Sequence, residues 1–227
     1  GGAGTEKAYA LIATSDGGYA FCGSSDSSSD DAGDAIIIKT DAFGMQEWFL
    51  EIPYAGNNFA CEIIEGSNGS FLVAARLEES PSRMALMRIH STGFLMSEQL
   101  SFYFEDFNET PETMFQTNDG GFLITGHTEG NANTNLAYLK LDGSGTYEWF
   151  SNSASSTSQP GKSSVQLEDG SMRTFGTKTQ PGGETAMYSF YYSTLLQPET
   201  LTSFETSGNE EALEMIYTSD DHLLLIG

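Results

Sequence analysis

The chain has 227 residues, of which 38% are hydrophobic and 12% aromatic, enough to build one domain-sized core or one repeat array. Nine Lys and Arg against 32 Asp and Glu leave a net charge of −23. Such a surface repels phosphate backbones and anionic lipid heads, which argues against nucleic acid as a partner and leaves cations, basic partners, proteins and neutral glycans. No apolar run approaches the length of a membrane span, and no long amphipathic helix pattern is present.

The first predicted strand is Ala8–Ala13, followed by the turn Asp16-Gly17-Gly18 and a second strand, Tyr19–Cys22. Asp-Gly turns suit tight antiparallel hairpins, whose central residues need positive φ. After a polar loop comes a third strand, Ala35–Lys39, a turn at Asp41–Gly44 and a fourth strand carrying Glu47-Trp48-Phe49. The second strands are continuous apolar runs, the pattern expected of strands covered on both faces.

This unit repeats. Its turn residue recurs at Asn68, Asp119, Asp169 and Asp220, in steps of 52, 51, 50 and 51 residues from Asp16. Units are expected at 5–52, 56–103, 108–153 and 160–205, with a half unit at 209–227. Four antiparallel strands in about fifty residues, with inner strands apolar on both faces, define a β-propeller blade. The expected fold is therefore an all-β propeller of about four and a half blades. The half unit ends at Gly227, the equivalent of Gly23. The expectation is then a fragment of a larger ring, or a ring completed by another segment or another chain, with self-association through the open edge as one consequence.

The lead-in Gly208-Asn209-Glu210-Glu211-Ala212, the hairpin Asp119-Gly120-Gly121-Phe122-Leu123-Ile124-Thr125-Gly126 and the closing Lys140-Leu141-Asp142-Gly143-Ser144-Gly145 with Trp149 resemble the bacterial β-propeller repeats of the SBBP-like family. The resemblance is strong in three units and weak in the fourth. It implies an extracellular or cell-surface setting and, usually, no assigned reaction.

Loops on a rigid scaffold are where binding residues concentrate. The loop face is expected to offer Tyr54, Glu105, Asp106, Phe107, Glu109 and Glu129 as an acidic, aromatic-studded binding surface. The sharpest local cluster is Asp26, Asp30, Asp31 and Asp34, with Gly33 allowing a tight bend. These carboxylates suit calcium, the one cofactor candidate, although they lack EF-hand spacing and also read as a solvated Ser/Asp loop.

No catalytic residue is assigned. Paired acids across the face would suit glycoside hydrolysis. His90, His127 and His222 occupy different repeat positions and read as turn or loop residues, without support for a triad. Trp48 and Trp149 share one position and read as packing residues rather than sugar platforms. Cys22 and Cys61 read as buried free thiols rather than a disulfide. The leading functional expectation is a non-catalytic recognition scaffold for protein or glycan in an exported bacterial protein. The alternatives are a carbohydrate-active enzyme using loop-face carboxylates and a structural array joined through its open edge.

Overall fold

The structure is a computed structural model. It describes the chain apart from residues 1–3, 28–32, 67, 80, 97–99, 103–106, 131–132, 154, 193–197, 205–207 and 219–221. Among the described residues eighteen strands form four four-stranded antiparallel sheets and one hairpin, the blades of a β-propeller.

Blade 1 holds β1 (Glu6–Ala13), β2 (Tyr19–Ser25), β3 (Asp34–Thr40) and β4 (Gln46–Ile52). Blade 2 holds β5 (Phe59–Glu65), β6 (Phe71–Leu77), β7 (Arg83–Ile89) and β8 (Leu100–Phe102). Blade 3 holds β9 (Asn108–Gln116), β10 (Phe122–Glu129), β11 (Thr134–Leu141) and β12 (Tyr147–Asn152). Blade 4 holds β13 (Gly161–Gln166), β14 (Met172–Thr179), β15 (Thr185–Tyr192) and β16 (Pro198–Phe204); the half blade is β17 (Glu214–Tyr217) with β18 (Leu223–Ile226). The chain packs as two compact halves, Gly1–Pro111 and Glu112–Gly227.

The first hairpin of blades 1, 3 and 4 is closed by an Asp-Gly turn and that of blade 2 by Asn68-Gly69. Gly17 takes φ +88°, and the Gly18 N–H donates to Asp16 Oδ1 at 3.0 Å. A Cβ on Gly18 would lie 2.2 Å from the Thr40 carbonyl oxygen, so the second glycine is required by the neighbouring strand rather than by φ. Lys39 completes the lock from β3: its ammonium lies 2.8 Å from both Asp16 and Glu47 and also donates to the Thr40 carbonyl. Blade 3 repeats the arrangement with Lys140, Asp119 and Glu148, each carboxylate 3.0 Å from the ammonium. In blade 4 the lysine position holds Tyr191, and the cation comes instead from Arg173 on the paired strand, 4.5 Å above the ring.

A second recurring lock joins each inter-blade link to the preceding blade. Asn57, Asn108 and Asn209 accept the N–H of Gly33, Ser82 and Thr185, each at 3.1 Å, and Ser158 does the same for Thr134. The residue after each of these donates its own N–H back to the carbonyl of that strand start, as Asn58 does to Gly33 at 2.6 Å and Glu109 to Ser82 at 3.1 Å. These bonds satisfy backbone groups that would otherwise be stranded where one blade passes to the next.

Between blades, the first strand of one lies across the sheet of the one before: β5 across β1, β2 and β3, β13 across β10 and β11, β17 across β13 and β14. The core of the first half is thus Ala20, Cys22 and Ile37 of blade 1 against Ile63, Val73 and Met87 of blade 2. Trp48 packs against this cluster edge-on to Phe71, donating its indole N–H to the Ser91 carbonyl, and Trp149 packs against the blade 3 cluster. Both tryptophans are packing residues. The two cysteines are free and buried, with burial and the nearby Glu62 pushing the Cys22 thiol far above its ordinary pKa.

The expectation of second strands covered on both faces holds for β6 and β10 and fails for β2. In blade 1 Ala20 and Cys22 are buried whereas Tyr19 is exposed and Phe21 only half-buried. β5 of blade 2 packs against β2 on the Ala20–Cys22 side.

Candidate functional site

In three of the first strands the antiparallel register slips by one residue, at Tyr9 in β1, Cys61 in β5 and Lys162 in β13. A bulged residue is left out of the ladder and its side chain is re-aimed. Glu112 holds the same repeat position in β9, 51 residues after Cys61 and 50 before Lys162. At Gly161 a Cβ would meet Leu136 Cδ1 at 2.3 Å, with Thr125 also in contact. That close approach of β13 to blade 3 brings Lys162 within reach of Glu112.

The Lys162 ammonium donates to Glu112 Oε2 at 2.6 Å. The other carboxylate oxygen of Glu112 lies 3.5 Å from His127 Nδ1, and His127 Nε2 lies 3.9 Å from Glu129. Burial raises the Glu112 pKa above the usual glutamate value, opposed by the hydrogen bond and charge of Lys162. These groups line a pocket of about 430 Å³ in the second half, walled also by Thr134, Gly161, Thr177, Thr185, Glu210 and Glu211. The ammonium has donors beyond the one spent on Glu112, and carboxylates and threonine hydroxyls surround it. Such a lining suits a small polyhydroxylated or otherwise polar ligand.

Of the residues expected on a binding face, Glu129 lies in this pocket, with its side chain half exposed beside His127. Tyr54 is exposed, and its carbonyl accepts from the Asn58 side chain at 2.8 Å. Phe107 is half-buried just before β9. Glu105 and Asp106 lie outside the described residues.

Glu109 requires a correction. It is fully buried, and its carboxylate accepts the Met84 N–H at 3.4 Å, so it belongs to the inter-blade lock and not to a solvent-facing surface. Glu210 repeats the contact with Met187.

Of the calcium candidates, Asp30 and Asp31 also fall outside the described residues. Asp26 accepts the backbone N–H of Thr5 at the end of the hairpin, and Asp34 is buried at the start of β3. Among the described residues no group of three or more His, Cys, Asp or Glu is placed to hold a metal ion.

His127 corrects a second expectation. It stands within β10 rather than in a loop, while His90 is a turn residue stacked on Phe94 at 4.5 Å. Sequence reasoning passed over Glu112 and Lys162 as well. The available signal was opposite charges at one position of consecutive repeats.

No known family model matches the chain, and no curated protein matches it in sequence. Solved structures share its fold. A protein of unknown function from Bacteroides caccae aligns over 97% of this chain and 70% of its own, with TM-score 0.62 and 12% identity. An endo-arabinase from Bacteroides thetaiotaomicron aligns over 97% of this chain and 87% of its own, with TM-score 0.61 and 9% identity. A GH43 beta 1,3 galactosidase aligns over 92% of this chain and 49% of its own, with TM-score 0.54 and 10% identity, so the chain spans about half of that enzyme. At these identities the likeness is one of fold: the chain is a β-propeller. No helix among the described residues is long and apolar enough to cross a membrane.

Proposed function

We propose that this propeller is a non-catalytic recognition domain of an exported bacterial protein, related to the SBBP-like repeats, and that the Glu112–Lys162 pocket receives a glycan or a polar segment of a protein. The observation that carries the reading is the 2.6 Å ion pair within a hydroxyl-rich pocket. A glycoside hydrolase needs a carboxylic acid that keeps its proton until it reaches the leaving group. The Lys162 ammonium in direct contact opposes the rise that burial gives the Glu112 pKa.

The test is calorimetric titration of the purified chain with a panel of arabinose- and galactose-based oligosaccharides, alongside hydrolysis assays on the same sugars. Binding without turnover, lost in Lys162→Met, supports the reading. Binding that Lys162→Met leaves unchanged overturns the placement of the site.

A glycosidase is the second reading, favoured by the raised Glu112 pKa and by Glu129 in the same pocket. Turnover that disappears in Glu112→Gln would establish it in place of the first.

A further inference from the structure

Hydrogen-bond donors and acceptors are unequally matched in the pocket that β9, β10 and β13 share. Four glutamates line it, Glu112, Glu129, Glu210 and Glu211, against one lysine and one histidine, around a volume of about 430 Å³. The Lys162 ammonium donates to Glu112 at 2.6 Å. The Thr185 hydroxyl donates to the Glu210 carbonyl at 2.8 Å, and the Glu210 carboxylate accepts the Met187 N–H at 3.4 Å. The donors on the walls are thus largely engaged with the protein itself.

Two of the carboxylates reach solvent. The Glu129 side chain, at the end of β10, is 52% exposed with the His127 imidazole 3.9 Å away. Glu211 is exposed in the link that precedes the half blade. An ionised carboxylate accepts and never donates, whereas an ammonium offers three donors, no acceptor and a positive charge. A lining of this balance selects a ligand that donates and is cationic, and the net charge of −23 draws such a ligand toward the chain. The volume lies low in the range of small-ligand pockets, about 300–1,000 Å³, which gives room for one or two sugar rings rather than an extended peptide strand.

We propose that the pocket takes a glycan unit bearing a free primary ammonium, a hexosamine without its N-acetyl group, and that Glu129 and Glu211 receive the ammonium. The proposal rests on the reading of this pocket as a glycan site and adds the charge of the sugar. An N-acetyl group in the same place cancels that charge, removes two of the three donors and turns a carbonyl oxygen toward the carboxylates.

Calorimetric titration with matched trisaccharides of one backbone, carrying ammonium, acetamido or hydroxyl at the 2-position, tests the proposal at mildly acidic pH, where the amine is charged. One-to-one binding of the ammonium form is expected, roughly tenfold tighter or more than that of either counterpart. Glu129→Gln and Glu211→Gln each alter an exposed side chain and should each weaken the ammonium form alone. Binding that neither variant weakens overturns the proposal. Glu214→Gln removes an exposed carboxylate that does not line the pocket and should change nothing. A loss in Glu214→Gln as large as in Glu129→Gln would reduce the preference to attraction by net charge and overturns the site. Equal affinity for the matched sugars overturns the ammonium preference and leaves the glycan reading standing, whereas binding of no sugar at all overturns both. Tighter binding of Nα-acetyl-lysine amide than of the ammonium sugar assigns the pocket to a basic protein side chain and overturns the hexosamine.

Discussion

Glu112 and Lys162 stand at one position of two successive repeats and meet through a 2.6 Å hydrogen bond from ammonium to carboxylate. Each side chain leaves a first strand, and the pair spans two blades. The pair sets the charge of the pocket and supplies the first prediction. Lys162→Met leaves the largely buried Glu112 without its cation, so the carboxyl pKa rises further and the fold loses about 1 kcal/mol, a modest figure because Lys162 is 43% exposed and partly screened by water. Adding Glu112→Gln should restore most of that loss. Urea unfolding of the single and double variants reads the coupling, and a carbon-13 titration of Glu112 reads the pKa.

The hairpin locks predict the acid limb of stability. Lys39 and the hydrogen bonds of the turn hold Asp16 far below the usual aspartate value; Thr117, Gly121 and Lys140 hold Asp119 down at about 2. A carboxylate depressed in the folded state contributes stability that is complete above its unfolded pKa of about 4 and is lost as pH falls through the folded value. Thermal melting temperature should therefore decline below about pH 4 and keep falling to about pH 2. Asp16→Asn with Asp119→Asn should lower stability at neutral pH and flatten that decline. An unchanged acid slope in the double variant would remove the locks from the account.

Gly44 and Gly93 occupy matching turns, with φ +79° and +86°. A Cβ at Gly44 meets nothing within 4 Å, whereas at Gly93 it would lie 2.6 Å from Trp48 Cδ2. Gly44→Ala should cost about 1 kcal/mol, the strain of a positive φ. Gly93→Ala should cost visibly more and should shift the fluorescence of Trp48, because the indole must leave its place against Phe71. Equal unfolding midpoints for the two variants would count against this packing.

Asn108 and Glu109 separate a lock from a binding surface. Asn108→Ala strands the Ser82 N–H and should destabilise by about 1–2 kcal/mol. Glu109→Ala should also destabilise, because it removes the carboxylate that accepts the Met84 N–H and empties a fully buried site. Neither change should weaken ligand binding at the Glu112–Lys162 pocket under conditions where the variant stays folded. Calorimetry beside a denaturant melt distinguishes the two effects.

The blades were legible in the chain because their determinants are local: an Asp-Gly turn, apolar strands of fixed length and a period near fifty residues. Trp48 and Trp149 were legible as packing residues for the same reason, since a shared repeat position implies a shared environment. Repetition misleads where neighbours differ. Leu11 and Ile63 are equivalent in the sequence, yet one is 64% exposed and the other sealed, because burial depends on whether another blade lies above. Glu109 reads as a loop acid until the fold turns it inward onto the Met84 N–H, and His127 reads as a loop residue until β10 carries it to Glu112. The sequence by itself determined which residues form strands and which of them correspond. Only the tertiary structure decided which corresponding residues meet, because the juxtaposition of blades lies in packing across dozens of residues and not in any local pattern.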